Sequence, residues 1–117
     1  NDNMNKAVLI DPYVGEITDV VVGDWRDIQK LLQCDCFGSG GYTETNDAIY
    51  VNDEGIYTET MYVKIPDLYP DPYAGRVLIL GVDAHGDSAD VKMSVEDVKK
   101  IEHEFLNAAQ VRALYAF

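Results

Sequence analysis

The run Arg76-Val77-Leu78-Ile79-Leu80-Gly81-Val82-Asp83 constrains the fold more than any other stretch of the chain. Its four consecutive apolar residues, two of them β-branched, have the pattern of a strand buried on both faces. The run is too short to span a membrane. It belongs in the middle of a sheet, with the rest of the chain beside or across it. It breaks into Ala84-His85-Gly86-Asp87, the loop with the most chemically suggestive side chains.

The other segments follow from periodicity and turn residues. Lys6–Ile10 is nearly all apolar and predicts an interior strand. Asp11-Pro12-Tyr13-Val14-Gly15 predicts a reversal, and Glu16–Val22 a second strand in hairpin with the first. Asp24 predicts a helix N-cap, with Trp25, Ile28, Leu31 and Leu32 on one face of a helix over residues 25–33. Cys34–Phe37 predicts a short strand, Gly38-Ser39-Gly40-Gly41 a flexible loop, and Ala48–Asn52 a further strand. Asp53-Glu54-Gly55 predicts a turn with the glycine at positive φ. Ile56–Val63 alternates and predicts a half-exposed strand. Residues 64–74 hold Pro66, Pro70 and Pro72 with Tyr69 and Tyr73, and predict an ordered loop. Ser94 predicts the N-cap of a second helix running to about residue 110, with Val98, Ile101, Phe105, Leu106 and Ala109 as its apolar stripe. The tail 111–117 is apolar. The order β-β-α-β-β-β-β-α predicts an α+β fold: an antiparallel or mixed sheet of five to six strands with two helices packed on one face.

A chain of 117 residues predicts a single domain over 1–117, with residues 1–5 as a flexible N-terminus. The apolar fraction of 47% argues against disorder. The formal net charge of −12, from 21 acidic and 9 basic residues, argues against direct binding to a nucleic-acid backbone. It fits solubility, a saline habitat or a basic partner protein. The polar N-terminus shows no signal-peptide core, and no segment predicts membrane insertion. Cys34 and Cys36, two residues apart on a strand, point the same way and are poorly placed to bridge. They predict reduced thiols and a cytoplasmic setting.

Three groups of residues invite a chemical reading. Asp83, His85 and Asp87 put two carboxylates and an imidazole just past a buried strand, where a ligand or divalent ion is bound in many proteins. A solvated turn explains the same residues without any ligand. Cys34-Asp35-Cys36 lacks the second pair or the histidines of a zinc site, so the thiols read as small hydrophobes. Phe37-Gly38-Ser39-Gly40-Gly41-Tyr42 lacks the following helix and the Lys-Ser/Thr pair of a phosphate loop, and Glu44 follows it. No cofactor, metal centre or catalytic set is predicted. The 8 tyrosines include Tyr42, Tyr50, Tyr57, Tyr62, Tyr69 and Tyr73 in half-exposed stretches, as an interaction surface would need.

With these residues in view, the chain resembles a family of small uncharacterised proteins carried by bacteriophages and plasmids. The resemblance lies in Lys6-Ala7-Val8-Leu9-Ile10-Asp11-Pro12, Gly15-Glu16-Ile17 and Asp27-Ile28-Gln29-Lys30-Leu31-Leu32. It continues in Ile49-Tyr50-Val51-Asn52-Asp53-Glu54-Gly55, Gly75-Arg76-Val77-Leu78-Ile79-Leu80-Gly81 and Ser94-Val95-Glu96-Asp97. It implies an accessory protein of a virus or mobile element in the host cytoplasm, and assigns no site residue. The resulting expectation is a non-enzymatic protein acting through protein–protein interaction or self-association. Self-association would use strand Ile56–Val63 or the tail with Tyr115 and Phe117. The alternative is a small-ligand or divalent-metal-binding domain using the 83–87 loop.

Overall fold

A computed structural model describes residues 4–115. In chain order the elements are β1 (Asn5–Asp11), β2 (Glu16–Val22), α1 (Trp25–Leu32), β3 (Phe37–Tyr42), β4 (Ala48–Asn52), α2 (Gly55–Thr58), β5 (Met61–Lys64), β6 (Tyr73–Ala74), β7 (Val77–Val82), β8 (Ser88–Ala89), α3 (Val95–Lys100), β9 (Glu104–Asn107) and α4 (Ala108–Tyr115). The fold is α+β, and every strand pairing is antiparallel. The larger sheet runs β2-β1-β7-β4-β3, with β8 beside the end of β7, and the smaller runs β6-β5-β9.

The 76–83 run forms the centre of the larger sheet. Val77–Leu80 pairs with Ile10–Ala7 of β1 on one side and with Val51–Ala48 of β4 on the other. Successive side chains of a strand face opposite ways, so β1 and β7 feed two cores at once. Val8, Ile10, Val77 and Ile79 point to the face covered by the smaller sheet and α3, where they meet Val63, Ile65, Tyr73 and Val98. Ala7, Leu78 and Leu80 point to the other face, where Ile28 and Leu32 of α1 close over them. A third cluster, Tyr62, Leu106 and Val111, packs α4 on the far side of the smaller sheet. The helices therefore cover both faces of the larger sheet rather than one. A β7 that is apolar at consecutive positions requires this.

Residues 83–87 form the turn from β7 into β8, closed by bonds from the Asp83 amide to Asp87 O and from the Gly86 amide to Asp83 O. The returning chain fills the end of the sheet. The Lys6 amide donates to the Asp90 carboxylate, and the Val91 amide to Lys6 O. Gly81 lies beneath this segment, where a Cβ would sit 2.0 Å from the Asp90 carbonyl oxygen.

Helix α1 starts as its residues predict: Asp24 accepts from the Arg26 amide, and Asp27 accepts from the Gly23 and Asp24 amides. The Ser94–Asp97 box of α3 is also complete. That helix ends at Lys100, however, and does not run to residue 110. From Glu104 the chain is extended along β5, with Phe105 and Leu106 serving opposite faces. Apolar residues at 98, 101, 105 and 106 fit a helical stripe, but pairing with β5 decides the outcome. A new helix then opens at Asn107, whose side chain accepts from the Gln110 amide while the Gln110 side chain accepts from the Asn107 amide.

Further expectations change. The Gly38–Gly41 stretch is strand β3, with a bulge between Ser39 and Gly41, and not a flexible loop. Gly40 reflects close approach, since a Cβ there would meet Ile49 at 2.9 Å and Tyr73 at 3.0 Å, whereas Gly41 has open space and a φ of 104°. Residues 34–36 form the connection before it. The strand expected over Ile56–Val63 is the short helix α2 followed by β5, and Gly55 is not at positive φ. Gly55 is needed because a Cβ there would sit 2.8 Å from Ala74 O. Residues 1–3 of the expected flexible N-terminus, and Phe117 of the tail, lie outside the described residues, while Asn5 already pairs with Val22.

Candidate functional site

The 83–87 loop places Asp83, His85 and Asp87 on the surface, all three exposed. The Asp83 carboxylate faces inward on its own turn, where Oδ1 accepts from the His85 amide at 2.8 Å and the Asp87 amide at 3.0 Å. That bonding shapes the turn, an ordinary role for an aspartate at such a position. Among the described residues no group of three or more His, Cys, Asp or Glu side chains is gathered as metal ligands. His103 is remote from the loop; its Nδ1 lies 2.7 Å from Ile101 O, and its ring meets Phe105 edge-on.

A denser polar constellation lies at the opposite end of the larger sheet. The Asp11 carboxylate accepts from Arg76 Nε at 3.2 Å, and the Arg76 guanidinium stacks over the Tyr13 ring at 4.4 Å. The Tyr13 hydroxyl donates to Glu59 and accepts from the Thr60 amide. Asn52 Nδ2 donates to the other oxygen of Glu59 at 2.8 Å. Gly75, at φ 83°, leaves the space that the Glu59 side chain fills. These groups tie the β1–β2 turn, the end of β4 and the segments entering β5 and β7 into one network.

A cleft of about 280 Å³ opens beside this network, lined by Gln33, Cys34, Asp35, Asn52, Glu54 and Thr58. Burial pushes the Cys34 thiol above its usual range, and the charges of Glu59 and Asp35 push it further. The thiol is therefore held protonated and away from the nucleophilic thiolate. Cys36 is exposed and Cys34 half-buried, and both are free.

The third polar centre had no part in the expectations. Asp47 is fully buried, and its carboxylate accepts from the Lys92 amide at 2.9 Å, the Met93 amide at 3.1 Å and the Thr45 hydroxyl at 2.6 Å. Thr43 completes the cluster, sharing a hydrogen bond with Thr45 and accepting from the Asp47 amide. The carboxylate latches the β3–β4 turn to the segment entering α3. The crowding of Thr43, Thr45 and Asp47 in five residues was a visible signal of local side-chain bonding. Its partners 45 residues downstream were not.

The surface carries large apolar side chains in several places. Val21 and Trp25 stand exposed near the end of β2 and the start of α1, with Arg26 stacked on the Trp25 ring at 4.6 Å. Ile56 and Tyr57 project from α2, Tyr57 with 87% of its surface exposed. Tyr69 is exposed and stacks on Tyr73, whose hydroxyl donates to Gly40 O and whose pKa is pushed up to about 12 by burial, then by Tyr69. No helix among the described residues is long and apolar enough to cross a membrane. Comparison with protein-family models, with curated proteins and with solved structures finds no match to this chain.

Proposed function

We propose that the chain is a non-enzymatic interaction domain, working through protein–protein contact as an accessory protein of a phage or mobile element. The observation that carries this reading is the Ile56–Tyr57 pair on α2. An 87% exposed tyrosine beside an exposed isoleucine is held on a braced turn rather than a loose loop. The Asn52 side chain accepts from the Glu54 amide, the Thr58 hydroxyl donates to Glu54 O, and Glu59 is fixed by Tyr13 and Asn52. Rigid presentation of an aromatic side chain lowers the entropy lost on binding, which is why such residues dominate contact energies. The high negative charge favours a basic partner and a fast, salt-sensitive encounter.

The test is a photo-crosslinking phenylalanine analogue in place of Tyr57, irradiated in extract of cells that carry the gene. A discrete adduct, competed by unmodified protein and lost in Ile56→Asp, is expected. The reading fails if no adduct forms while a thermal-shift screen against Mg²⁺, Mn²⁺, Zn²⁺ and nucleotides gives saturable stabilisation abolished by His85→Ala. That outcome would move the function to Asp83, His85 and Asp87.

A further inference from the structure

Strand β2 is an outer edge of the larger sheet. The direction of its free backbone groups follows from the hydrogen bonds of Lys6. The Lys6 amide donates to Asp90 and its carbonyl accepts from Val91, so both point away from β2. Residues directly opposite in an antiparallel pair either bond each other or both point outward. Val21 is opposite Lys6, so its amide and carbonyl point to the open side, and alternation extends this to Asp19 and Ile17. None of the three has another backbone hydrogen bond among the described residues. The β1–β2 register is unbroken from Asn5–Val22 to Asp11–Glu16, so no bulge blunts the edge, and β2 contains neither Pro nor Lys. Natural edges are usually defended by such features.

Two open grooves follow this edge. One, of about 530 Å³, runs beside Gly15–Thr18 and is walled by Lys99, His103 and Phe105. The other, of about 460 Å³, runs beside Asp19–Val21 and Lys6. The geometry points to β2 as a docking edge for an extended segment of a partner protein, which adds as a further strand and sets a Lys or Arg opposite Asp19. The inference rests on the interaction reading and names its second surface. A second copy of this chain fits poorly. Pairing β2 with itself through all three free positions sets Asp19 against Asp19, between two chains each of net charge −12. A basic segment reverses both terms. Strand addition of this kind takes its affinity from the backbone ladder and its specificity from alternate side chains.

The experiment selects a displayed library of random nine-residue peptides on the full chain, then measures the leading synthetic peptide by fluorescence polarisation. Expected leads are rich in β-branched residues around a Lys or Arg. Asp19→Lys should weaken the lead at least tenfold. Val21→Pro removes an outward donor that the β1–β2 ladder does not use, so the fold is kept and binding is lost. Circular dichroism and the melting curve of Val21→Pro verify the fold. A lead that binds Val21→Pro as well as the parent protein overturns the inference, as does a selection without leads. A two-chain mass by light scattering that Val21→Pro reduces to one would give the edge to a second copy and also overturn it. Crosslinking through position 57 that survives Val21→Pro would leave the interaction reading standing while the edge inference is judged by the peptide result alone.

Discussion

Replacing Asp47 by Ala tests how the β3–β4 turn is latched to the segment entering α3. The carboxylate is fully buried and takes three donors, the amides of Lys92 and Met93 and the hydroxyl of Thr45. Each lost bond is worth about 1 kcal/mol net, and more where the abandoned donor stays dry. The two amides are only partly buried, so water recovers some of the loss. We expect a destabilisation of about 3 kcal/mol, a large fraction of the roughly 5–15 kcal/mol of a typical domain. For a chain of this size that is a fall in melting temperature of about 10 °C. Asp47→Asn keeps one acceptor oxygen and should fall about midway. Lys92→Met is the decisive control. The Lys92 ammonium lies 4.0 Å from Asp47 and is half exposed, so the ion pair contributes under about 1 kcal/mol. The bond that matters comes from the backbone of residue 92 and survives that substitution. Urea unfolding of the three variants measures each value. The reasoning is refuted if Asp47→Ala loses less than about 1 kcal/mol, or if Lys92→Met loses as much as Asp47→Ala.

Other outcomes follow from the same structure. The amides of Asp24 and Gly23 lower the Asp27 pKa, and the amide and then the hydroxyl of Ser94 lower that of Asp97, both from an ordinary 3.8. Folded-state values below the unfolded ones give stability that is complete above the unfolded value and is lost as pH falls through the folded one. Acid titration of the melting temperature should therefore show a limb below pH 3.8 that is shallower in Asp27→Asn and Asp97→Asn. Gly81→Ala drives a methyl into the Asp90 carbonyl and should lose about 2–4 kcal/mol in chemical denaturation. Gly86→Ala, at φ 85° in open space, should lose only about 1 kcal/mol. Alkylation by iodoacetamide at neutral pH, followed by peptide mass mapping, should label exposed Cys36 before Cys34. Comparable rates would show that burial and the neighbouring carboxylates do not hold Cys34 protonated.

The parts of this fold that were legible are those whose residues answer to one environment. Val77–Leu80 is apolar at every position because both faces are covered, and no other arrangement suits it. Asp24–Asp27 and Ser94–Asp97 announce helix starts because the cap chemistry is local. Misreadings arise where a residue answers to something distant. Gly40 is small because Tyr73 presses on it, not because the chain is loose. Phe105 and Leu106 fit a helix by spacing, yet β5 needs a neighbour and takes them as a strand. Asn107 and Gln110 form a cap box that could have been read, and it marks the true restart. Among site candidates, Asp83, His85 and Asp87 stood out by composition alone. Asp47, Glu59 and Arg76 did not, because their partners come from three or four separate segments.

The strand order β2-β1-β7-β4-β3 has a consequence for how the chain is made. Its first 52 residues contain two complete hairpins, β1–β2 and β3–β4, that share no direct pairing. The strand that joins them is β7, which leaves the ribosome only after both. Until then β1 and β4 each present an unsatisfied inner edge and an apolar face, during synthesis at roughly 5–20 residues per second. The nascent chain must hold two templates apart until a third piece zips between them. Slow translation through residues 53–76 would prolong that interval and favour pairing between neighbouring nascent chains.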